Sequence, residues 1–414
     1  MNVLVLGATG LIGSHLVTAL ENAGCSVVGA SRRAVADRKN HHQIDFSKMT
    51  TEQAWLPLLD DVDAVVNCVG IIREARSGDF DLLHRAAPVA LFAACESRGI
   101  QRVIQVSALG SGVDASTEYW RSKGAAEHDL LQRPLSATIV RPSLVYGEDG
   151  PGSQLFLAFS TLPFLMMPMA NDAMVQPIHV DDLVAALVKL VFMKQSVPRE
   201  MAVVGPVALS MGNYLAALRH GLQAPPAIVL PLPTPIAKIV ARVAAIIPSS
   251  ALTPDSLQML IQSADGSNTA DAGPVTALLG RPLQAPASFA HREQRTGIVF
   301  SWGSPILRAA FALFWLLNAI STWVSGAYPS NLSTSWFGEI VLVAVIAQAA
   351  TGLALLFYYR SWIWPVQIIL IVGGALLMNL LLQQWGLDSM ASLIKNIPLL
   401  AVIAIMWRAE GKPD

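Results

Sequence analysis

The sequence predicts an α/β domain with a doubly wound parallel sheet, followed by an all-α transmembrane bundle of about four helices. Two observations support this fold class. Up to about residue 300, short apolar runs alternate with helical patterns, and after Arg308 long apolar runs carry almost no charge. Strands separated by helices form right-handed β–α–β units in a parallel sheet. An apolar run of about 20 residues spans the hydrocarbon core of a bilayer.

Five strands and three helices can be assigned to the first part of the chain. A strand buried on both faces is a continuous apolar run, whereas an amphipathic helix repeats its apolar positions at helical spacing. The strands are Val3–Leu6, Ser26–Ala30, Ala64–Asn67, Arg102–Ser107 and Ala137–Arg141, and the helices are Gly13–Ala23, Leu82–Arg98 and Glu118–Leu131. We predict an α/β domain over residues 1–200, a substrate-region extension and linker over 201–300, and a membrane domain over 301–414.

A glycine loop joins the first strand to the first helix. Gly7, Gly10 and Gly13 recur at every third position directly after the apolar run. Glycines allow a sharp turn and a close approach of the backbone to a ligand, and the helix that follows points its free N–H groups at a pyrophosphate. The sequence therefore predicts a dinucleotide site here.

Composition excludes several classes of function. The chain is 53% hydrophobic and 14% charged with a formal net charge of −1, so it has no basic footprint for nucleic acid. The three cysteines, Cys25, Cys68 and Cys95, lack C-x-x-C spacing, which argues against a disulfide framework or a zinc site and for a reducing compartment. We expect no metal site. The first residues lack the features of a secretory signal, so we expect the amino-terminal part in the cytoplasm.

The carboxyl-terminal part predicts membrane spans. No charge occurs over 340–359 or 361–387, and a shorter fourth run covers Ile397–Trp407. We predict four spans, with three as the alternative. Basic residues flank the runs on one predicted side, namely Arg292, Arg295, Arg308, Arg360, Arg408 and Lys412, whereas Lys395 fits poorly. The positive-inside rule then predicts a multi-pass protein of the inner membrane with both termini in the cytoplasm.

Tyr119 and Lys123 are candidate catalytic residues. At positions i and i+4 they share one face of a predicted helix. An ammonium beside a phenol favours phenolate and lowers a pKa that starts near 10. Such a phenol can exchange a proton with a carbonyl or alcohol while a hydride moves to or from a nicotinamide.

Together these motifs resemble the short-chain dehydrogenase/reductase superfamily, in its extended or atypical, NAD-dependent epimerase/dehydratase-like branch with a Rossmann sheet. Besides the glycine loop and Tyr119-x-x-x-Lys123, the matching segments are Asn67–Gly70, Val106–Gly110, Arg141–Gly147 and Pro177–Asp182. Within the superfamily, the chain is similar to bacterial relatives of the NADPH-binding accessory subunit of respiratory complex I. The apolar tail resembles the DoxX-like domain found fused to some of them.

The resemblance implies roles for individual residues. Tyr119 would be the acid/base, Lys123 would lower its pKa and hold the nicotinamide ribose, and Ser107 would polarise the substrate carbonyl. Extended enzymes often carry this serine one position later, where this chain has Ala108. The implied cofactor-binding residues are Gly7, Thr9, Gly10, Leu11, Ile12, Gly13, Arg32, Arg33, Asp45, Phe46, Val69, Gly70, Tyr119, Lys123, Pro142 and Ser143.

The end of the second strand predicts the choice of cofactor. An NAD site favours an acidic residue there for the ribose 2′-hydroxyl, but Ser31 is followed by Arg32 and Arg33. Guanidinium groups suit a 2′-phosphate, so we expect NADP(H) in preference to NAD(H). The resemblance assigns Asp45 and Phe46 to the adenine.

Three functions fit this sequence. The first is a membrane-anchored NADPH-dependent oxidoreductase acting on a carbonyl or quinone-like hydrophobic substrate. The second is a non-catalytic NADPH-binding structural or redox-sensing module of a membrane assembly, and the third is a sugar-nucleotide epimerase or dehydratase. Two apolar segments, Leu155–Ala170 and the amphipathic Ile236–Ile247, form either the core of the substrate region or the border of a channel that faces the bilayer. The predicted partners are a small hydrophobic substrate and the lipid bilayer.

Overall fold

Seven parallel strands build the central sheet of the amino-terminal unit. The computed structural model describes residues 1–35, 40–100, 102–168, 173–194, 197–233, 268–324, 335–358, 360–383 and 390–410, and the isolated positions 236, 239 and 258. Its strands are β1 Asn2–Leu6, β2 Ser26–Ser31, β3 His41–Gln43, β4 Ala64–Asn67, β5 Arg102–Val106, β6 Ser136–Pro142, β7 Val145–Tyr146, β8 Phe164–Pro168, β9 Met174–Val175, β10 Ile178–His179, β11 Glu200–Val203, β12 Leu209–Ser210 and β13 Ile228–Leu232. The sheet order is β11-β6-β5-β4-β1-β2-β3, with every pair parallel.

Helices cover both faces of this sheet. The helices of this unit are α1 Leu11–Asn22, α2 Glu52–Trp55, α3 Ala87–Ser97, α4 Glu118–Gln132, α5 Pro151–Thr161, α6 Val180–Phe192, α7 Met211–Gly221 and α8 Gly273–Leu279. Of these, α5 and α7 do not cover the sheet but pack against each other in a separate core. Successive side chains of a strand point to opposite faces. Val3 and Val5 accordingly join the core beneath α1 and α6, whereas Leu4 and Leu6 join the core beneath α3 and α4. Both faces of β1 are fully buried, as its continuous apolar run requires.

All five predicted strands are present, with no end shifted by more than one residue. Two strands of this sheet, β3 and β11, were not predicted, because they are short edge strands without a long apolar run. The predicted boundary between residues 200 and 201 falls inside β11, whose residues pair in register with β6 and so belong to the main sheet. The helix predicted to begin at Leu82 opens instead with a π-helical turn, Asp81–Ala86.

Two compact units divide the chain after Ile298. The helices that follow are α9 Gln294–Val324, α10 Ser335–Phe357, α11 Ile363–Gln383 and α12 Met390–Glu410, and all but the first five residues of α9 belong to the carboxyl-terminal unit. Two of these, α9 and residues 339–357 of α10, are long and apolar enough to cross a membrane. Only 22% and 17% of the residues in their most apolar segments are buried, which is unlike the core helix of a soluble protein. The number of spans stays a prediction.

A carboxylate ties three helices together at one end of this unit. Glu410 of α12 accepts hydrogen bonds from Trp364 Nε1 of α11, at 2.9 Å, and from Ser304 Oγ of α9. Arg308 Nε of α9 lies 3.7 Å from the same carboxylate. Because Glu410 is the last residue of α12 and Trp364 the second of α11, these helix ends lie side by side.

Candidate active site

The predicted site residues follow the carboxyl ends of the parallel strands. Gly7 follows β1, Arg32 follows β2, Val69 follows β4, Ser107 follows β5, and Pro142 ends β6. Parallel strands bring these ends to one edge of the sheet. Between β1 and β4 the strand order reverses, so the flanking loops diverge and leave a crevice, which is where doubly wound sheets bind ligands.

The glycine loop forms a cradle that other residues could not form. Gly7 has a φ of +75°, and its N–H donates to Ala30 O at 2.9 Å. A Cβ on Gly13 would lie 2.2 Å from Gly7 O, so the first turn of α1 rests directly on the loop. Gly10 caps α1 without a side chain, leaving the first N–H groups of the helix to a ligand. Thr9 and Gly10 are exposed, whereas Leu11 and Ile12 are half-buried.

The loop after β2 is held by its own hydrogen bonds. Ser31 Oγ lies 2.7 Å from Arg33 O and 2.9 Å from His41 Nε2. The side chains of Arg32 and Arg33 are exposed beyond this anchor. The anchored backbone therefore presents two guanidinium groups at the edge where a dinucleotide ribose would lie.

Asp45 and Phe46 are placed differently from each other. The Asp45 carboxylate is exposed and accepts from Ser47 Oγ at 2.7 Å, and this bond lowers its pKa with a smaller effect from Arg32. Phe46 is only 7% exposed and packs against Trp55 with ring centroids 5.7 Å apart. The Phe46 ring is thus part of the core and is not free to contact an adenine. Only the backbone of Phe46 could contact a cofactor.

The loop after β4 lies against Lys123. Asn67 holds it by accepting from Val69 N at 3.1 Å. A Cβ added to Gly70 would lie 3.3 Å from Lys123 Nζ and 3.8 Å from His84 Nε2. Gly70 therefore allows the backbone to approach both side chains.

The segment after β6 is fixed by backbone contacts. Pro142 O accepts from Leu109 N at 2.8 Å, and Ser143 N donates to Val203 O at 3.2 Å. The Ser143 hydroxyl donates to Gln176 O. Pro142 and Ser143 are thus held at the predicted edge of the sheet.

Tyr119 and Lys123 meet on one face of α4. The Lys123 ammonium lies 5.6 Å from the centroid of the Tyr119 ring and donates to Val106 O at 3.5 Å. Lys123 is 5% exposed, and burial lowers its pKa to about 8 against the opposing effects of Glu127 and Cys68. Burial also raises the pKa of Tyr119 to about 12. This direction is opposite to the one expected from the sequence, because partial burial of the phenol disfavours its charged form.

Ser107 belongs to a buried hydrogen-bonded chain. Its hydroxyl lies 3.1 Å from Ser111 Oγ, which in turn donates to Glu127 Oε1 at 2.5 Å. Glu127 Oε2 accepts a hydrogen bond from Arg141 Nη2 at 2.6 Å. Ser111 Oγ also lies 2.7 Å from Ala108 O, so two acceptors compete for its single proton. Neither acceptor has a proton to give, so Ser107 is the donor in its contact with Ser111. To polarise a substrate carbonyl, Ser107 must release that bond.

His84 is a site residue that the sequence analysis missed. Its Nε2 accepts from Ile71 N and its Nδ1 donates to Ser122 Oγ, each at 3.0 Å, while Ser122 Oγ donates to Tyr119 O at 2.9 Å. The imidazole edge contacts the Tyr119 ring with centroids 5.5 Å apart. Burial lowers the pKa of His84 to about 2, so the ring is neutral. His84 lies in the π-helical turn and is buried. The sequence does not predict this turn, so His84 could not be told apart from a solvent-exposed histidine on a helix.

Comparison with known proteins agrees with this geometry. Residues 3–205 match the model of the NAD dependent epimerase/dehydratase family. This segment is an NAD-dependent epimerase/dehydratase domain. The family model ends before α9, so the DoxX-like resemblance of the tail stays a prediction.

Two curated relatives align with parts of the chain. It is 30% identical over 198 residues to NADH dehydrogenase [ubiquinone] 1 alpha subcomplex subunit 9, mitochondrial, of Arabidopsis thaliana, covering 44% of this chain and 48% of that protein. It is 29% identical over 190 residues to ceramide reductase of Caulobacter vibrioides, covering 45% and 59%. The chain thus spans only about half the length of these relatives.

A solved structure shares the fold of the epimerase/dehydratase domain. The crystal structure of UDP-glucuronic acid 4-epimerase from Bacillus cereus in complex with NAD aligns with a TM-score of 0.52 and 18% identity, covering 72% of this chain and 97% of that chain. The NAD-binding fold of the domain is therefore shared, while the likeness carries no information on substrate.

Proposed function

We propose that this chain is a membrane-anchored oxidoreductase that transfers hydride between NADP(H) and a carbonyl or quinone-like hydrophobic substrate. The observation that carries the proposal is the convergence of Tyr119, Lys123 and Gly70 beside the crevice of the sheet. The matched family supports the reaction class, because nicotinamide chemistry needs a cofactor cradle and a positioned proton donor.

The glycine cradle fits a dinucleotide. Gly13 brings α1 onto the loop, and the uncapped N–H groups of α1 suit a pyrophosphate. Lys123, beside Gly70, would hold the nicotinamide ribose. A bound nicotinamide would supply or accept the hydride.

The protein side chains favour carbonyl reduction. With its pKa near 12, Tyr119 keeps its proton at neutral pH and can donate it to a carbonyl oxygen. Lys123, with a pKa near 8, keeps most of its charge at pH 7 and stabilises the phenolate that forms. A proton donor and a nearby cation thus share one helix face.

Replacing Tyr119 tests this chemistry. We expect Tyr119→Phe to abolish NADPH oxidation with the best acceptor from a panel of quinones and long-chain aldehydes, measured at the nicotinamide absorbance band. Tyr214→Phe is the matched control, because it removes a buried hydroxyl outside the site that has no hydrogen-bond partner among the described residues. Equal rates for wild type and Tyr119→Phe would remove the proposed proton donor.

The preference for NADP(H) depends on Arg32 and Arg33. We expect NADPH to bind more tightly than NADH, and we expect a double substitution of both arginines by alanine to weaken NADPH alone. Lost guanidinium–phosphate contacts account for this difference. Fluorescence titration of the purified chain measures it, and equal affinities in the wild type would refute the preference.

A second function is favoured by the Ser107 contact. Because Ser107 donates to Ser111, a site that holds a cofactor would have no free Ser107 proton to offer to a substrate. One relative is named as a subunit of NADH dehydrogenase, which fits a domain that holds NADPH as a structural or redox-sensing module. NADPH that survives purification, and that no quinone or aldehyde oxidises, would favour this function over the first.

Membrane anchoring is supported by the carboxyl-terminal unit. The Glu410 contacts join the start of α11 to the end of α12, so the exposed residues Arg360 and Arg408 belong to the same end. Basic residues favour the cytoplasmic side, which supports a cytoplasmic epimerase/dehydratase domain on a multi-pass inner-membrane anchor. We expect Ser361→Cys to react with an impermeant thiol reagent from the cytoplasmic side only; reaction from the opposite side alone would reverse the topology.

A further inference from the structure

We propose that the strand pair β8–β13 docks the amino-terminal unit onto a lipid bilayer by entering its interfacial layer. Its apolar strand surface consists of Phe164, Ile228, Val229 and Leu230, which are 52%, 58%, 62% and 41% exposed. Large apolar side chains exposed together mark an interaction site more often than scattered ones do. This inference rests on the proposed membrane anchoring.

The exposure of three consecutive residues of β13 favours lipid over a folded protein as the partner. Ile228, Val229 and Leu230 are neighbours in one strand, so their side chains alternate between the two faces. A folded protein partner would cover one face of such a strand. An acyl-chain and headgroup layer can surround both faces, because it has no fixed shape.

The backbone of this strand pair is unsuited to pairing with a second copy. β13 runs parallel to β8, with Ile228 opposite Phe164, and Pro231 within β13 has no N–H to donate. Proline on an edge strand blocks addition of a further strand. Fewer unpaired N–H groups also lower the penalty for placing the edge in the interfacial layer of a membrane.

Charge in the surrounding sequence favours anionic lipid. From Gly221 to Pro254 the sequence contains Lys238 and Arg242 but no acidic residue. Both cations lie outside the part of the chain that the structure describes. Apolar side chains together with cations are the combination that binds a negatively charged membrane surface.

Docking would place β8, and the core that it shares with α5, next to the acyl chains of the bilayer. β8 directly follows α5, and the buried Leu165 of β8 packs in the same core as Leu157 of α5. A lipid-soluble substrate could then reach this region from the bilayer without crossing water.

The test uses spin labels on the full chain in vesicles of phosphatidylcholine and phosphatidylglycerol. Val229→Cys reports on the apolar strand surface, and Val207→Cys is the matched control, an exposed valine elsewhere in the same unit. Ile346→Cys of α10 reports on the anchor. Labelled wild type corrects for the native cysteines. Collision with oxygen is compared with collision with a water-soluble nickel chelate at each position.

We expect labels at 229 and 346 to show a several-fold higher oxygen-to-nickel ratio than the label at 207. A high ratio at 346 with equal ratios at 229 and 207 would overturn the docking while leaving the anchor intact. A label at 229 that is immobile and accessible to neither reagent would overturn it in favour of a protein cover. A low ratio at 346 would overturn the anchor and the docking with it.

Discussion

Replacing Lys123 by methionine should stabilise the amino-terminal unit while removing its activity. Lys123 is 5% exposed, and burial lowers its pKa from 10.5 to about 8. Folding therefore works against the charge of this side chain. Methionine has a similar length and no charge, so Lys123→Met relieves that penalty.

The size and the pH dependence of the effect follow from this pKa. Below about pH 8 the full penalty is present, and a shift of this size corresponds to roughly 3 kcal/mol at pH 7. Between pH 8 and 10.5 the unfolded chain binds a proton that the folded chain lacks, so the wild type regains stability as pH rises. At pH 9.5 the gap between wild type and variant should fall to about 1.4 kcal/mol.

Urea unfolding of the full chain, followed by pulse proteolysis of the amino-terminal unit, measures this gap at both pH values. The thiols Cys68 and Cys95, whose pKa values burial raises to about 12, act in the opposite direction above pH 9. Removal of Lys123 can only raise the pKa of Cys68 further, so at pH 9.5 both thiols stay protonated in either folded protein and their effect cancels in the gap. Lys189→Met on the exposed side of α6 is the control and should change little. A destabilised Lys123→Met variant, or a gap that does not change with pH, would refute the reasoning.

Three further predictions concern packing and hydrogen bonds. Gly13→Ala should abolish NADPH binding and cost at least 1–3 kcal/mol, because its Cβ would meet Gly7 O, whereas Gly152→Ala in α5 meets nothing within 4 Å and should bind normally in the same titration. Arg219→Met should lower the free energy of unfolding by about 2–5 kcal/mol, because the buried guanidinium donates to the carbonyl oxygens of Ser160, Leu162 and Pro225. An unchanged midpoint in urea would contradict this. Glu127→Gln should lower activity, through the serine chain and through loss of a carboxylate that raises the pKa of Lys123, while NADPH affinity stays within about threefold; a variant with unchanged activity would contradict this.

Much of the sheet could be predicted because its strands are continuous apolar runs. β1 and β4 are buried on both faces, and this burial is visible in the sequence as Val and Leu without alternation. β3 contains two histidines and β11 begins with Glu200, so neither has that pattern. Their strand geometry comes from pairing with β2 and β6, which is a tertiary effect.

The candidate site could be predicted only where a motif fixes the backbone. The glycine loop and the pair Tyr119 and Lys123 depend on spacing within one element, and spacing is written in the sequence. The direction of the pKa of Tyr119 depends on burial by other elements, so the sequence could not predict it. His84 and Glu127 likewise act through contacts with distant residues. The predicted helix Ile236–Ile247 lies mostly outside the described residues and stays a prediction.

The Glu410 contacts impose an order on biosynthesis. Ser304 and Glu410 are 106 positions apart, yet they meet through one hydrogen bond. The first helix of the carboxyl-terminal unit therefore leaves the ribosome long before the carboxylate that holds it has been made. Until then, neither Ser304 nor the Trp364 indole can make its bond to Glu410. Final assembly of the helices is thus a late event that requires α12 to be synthesised through its last turn.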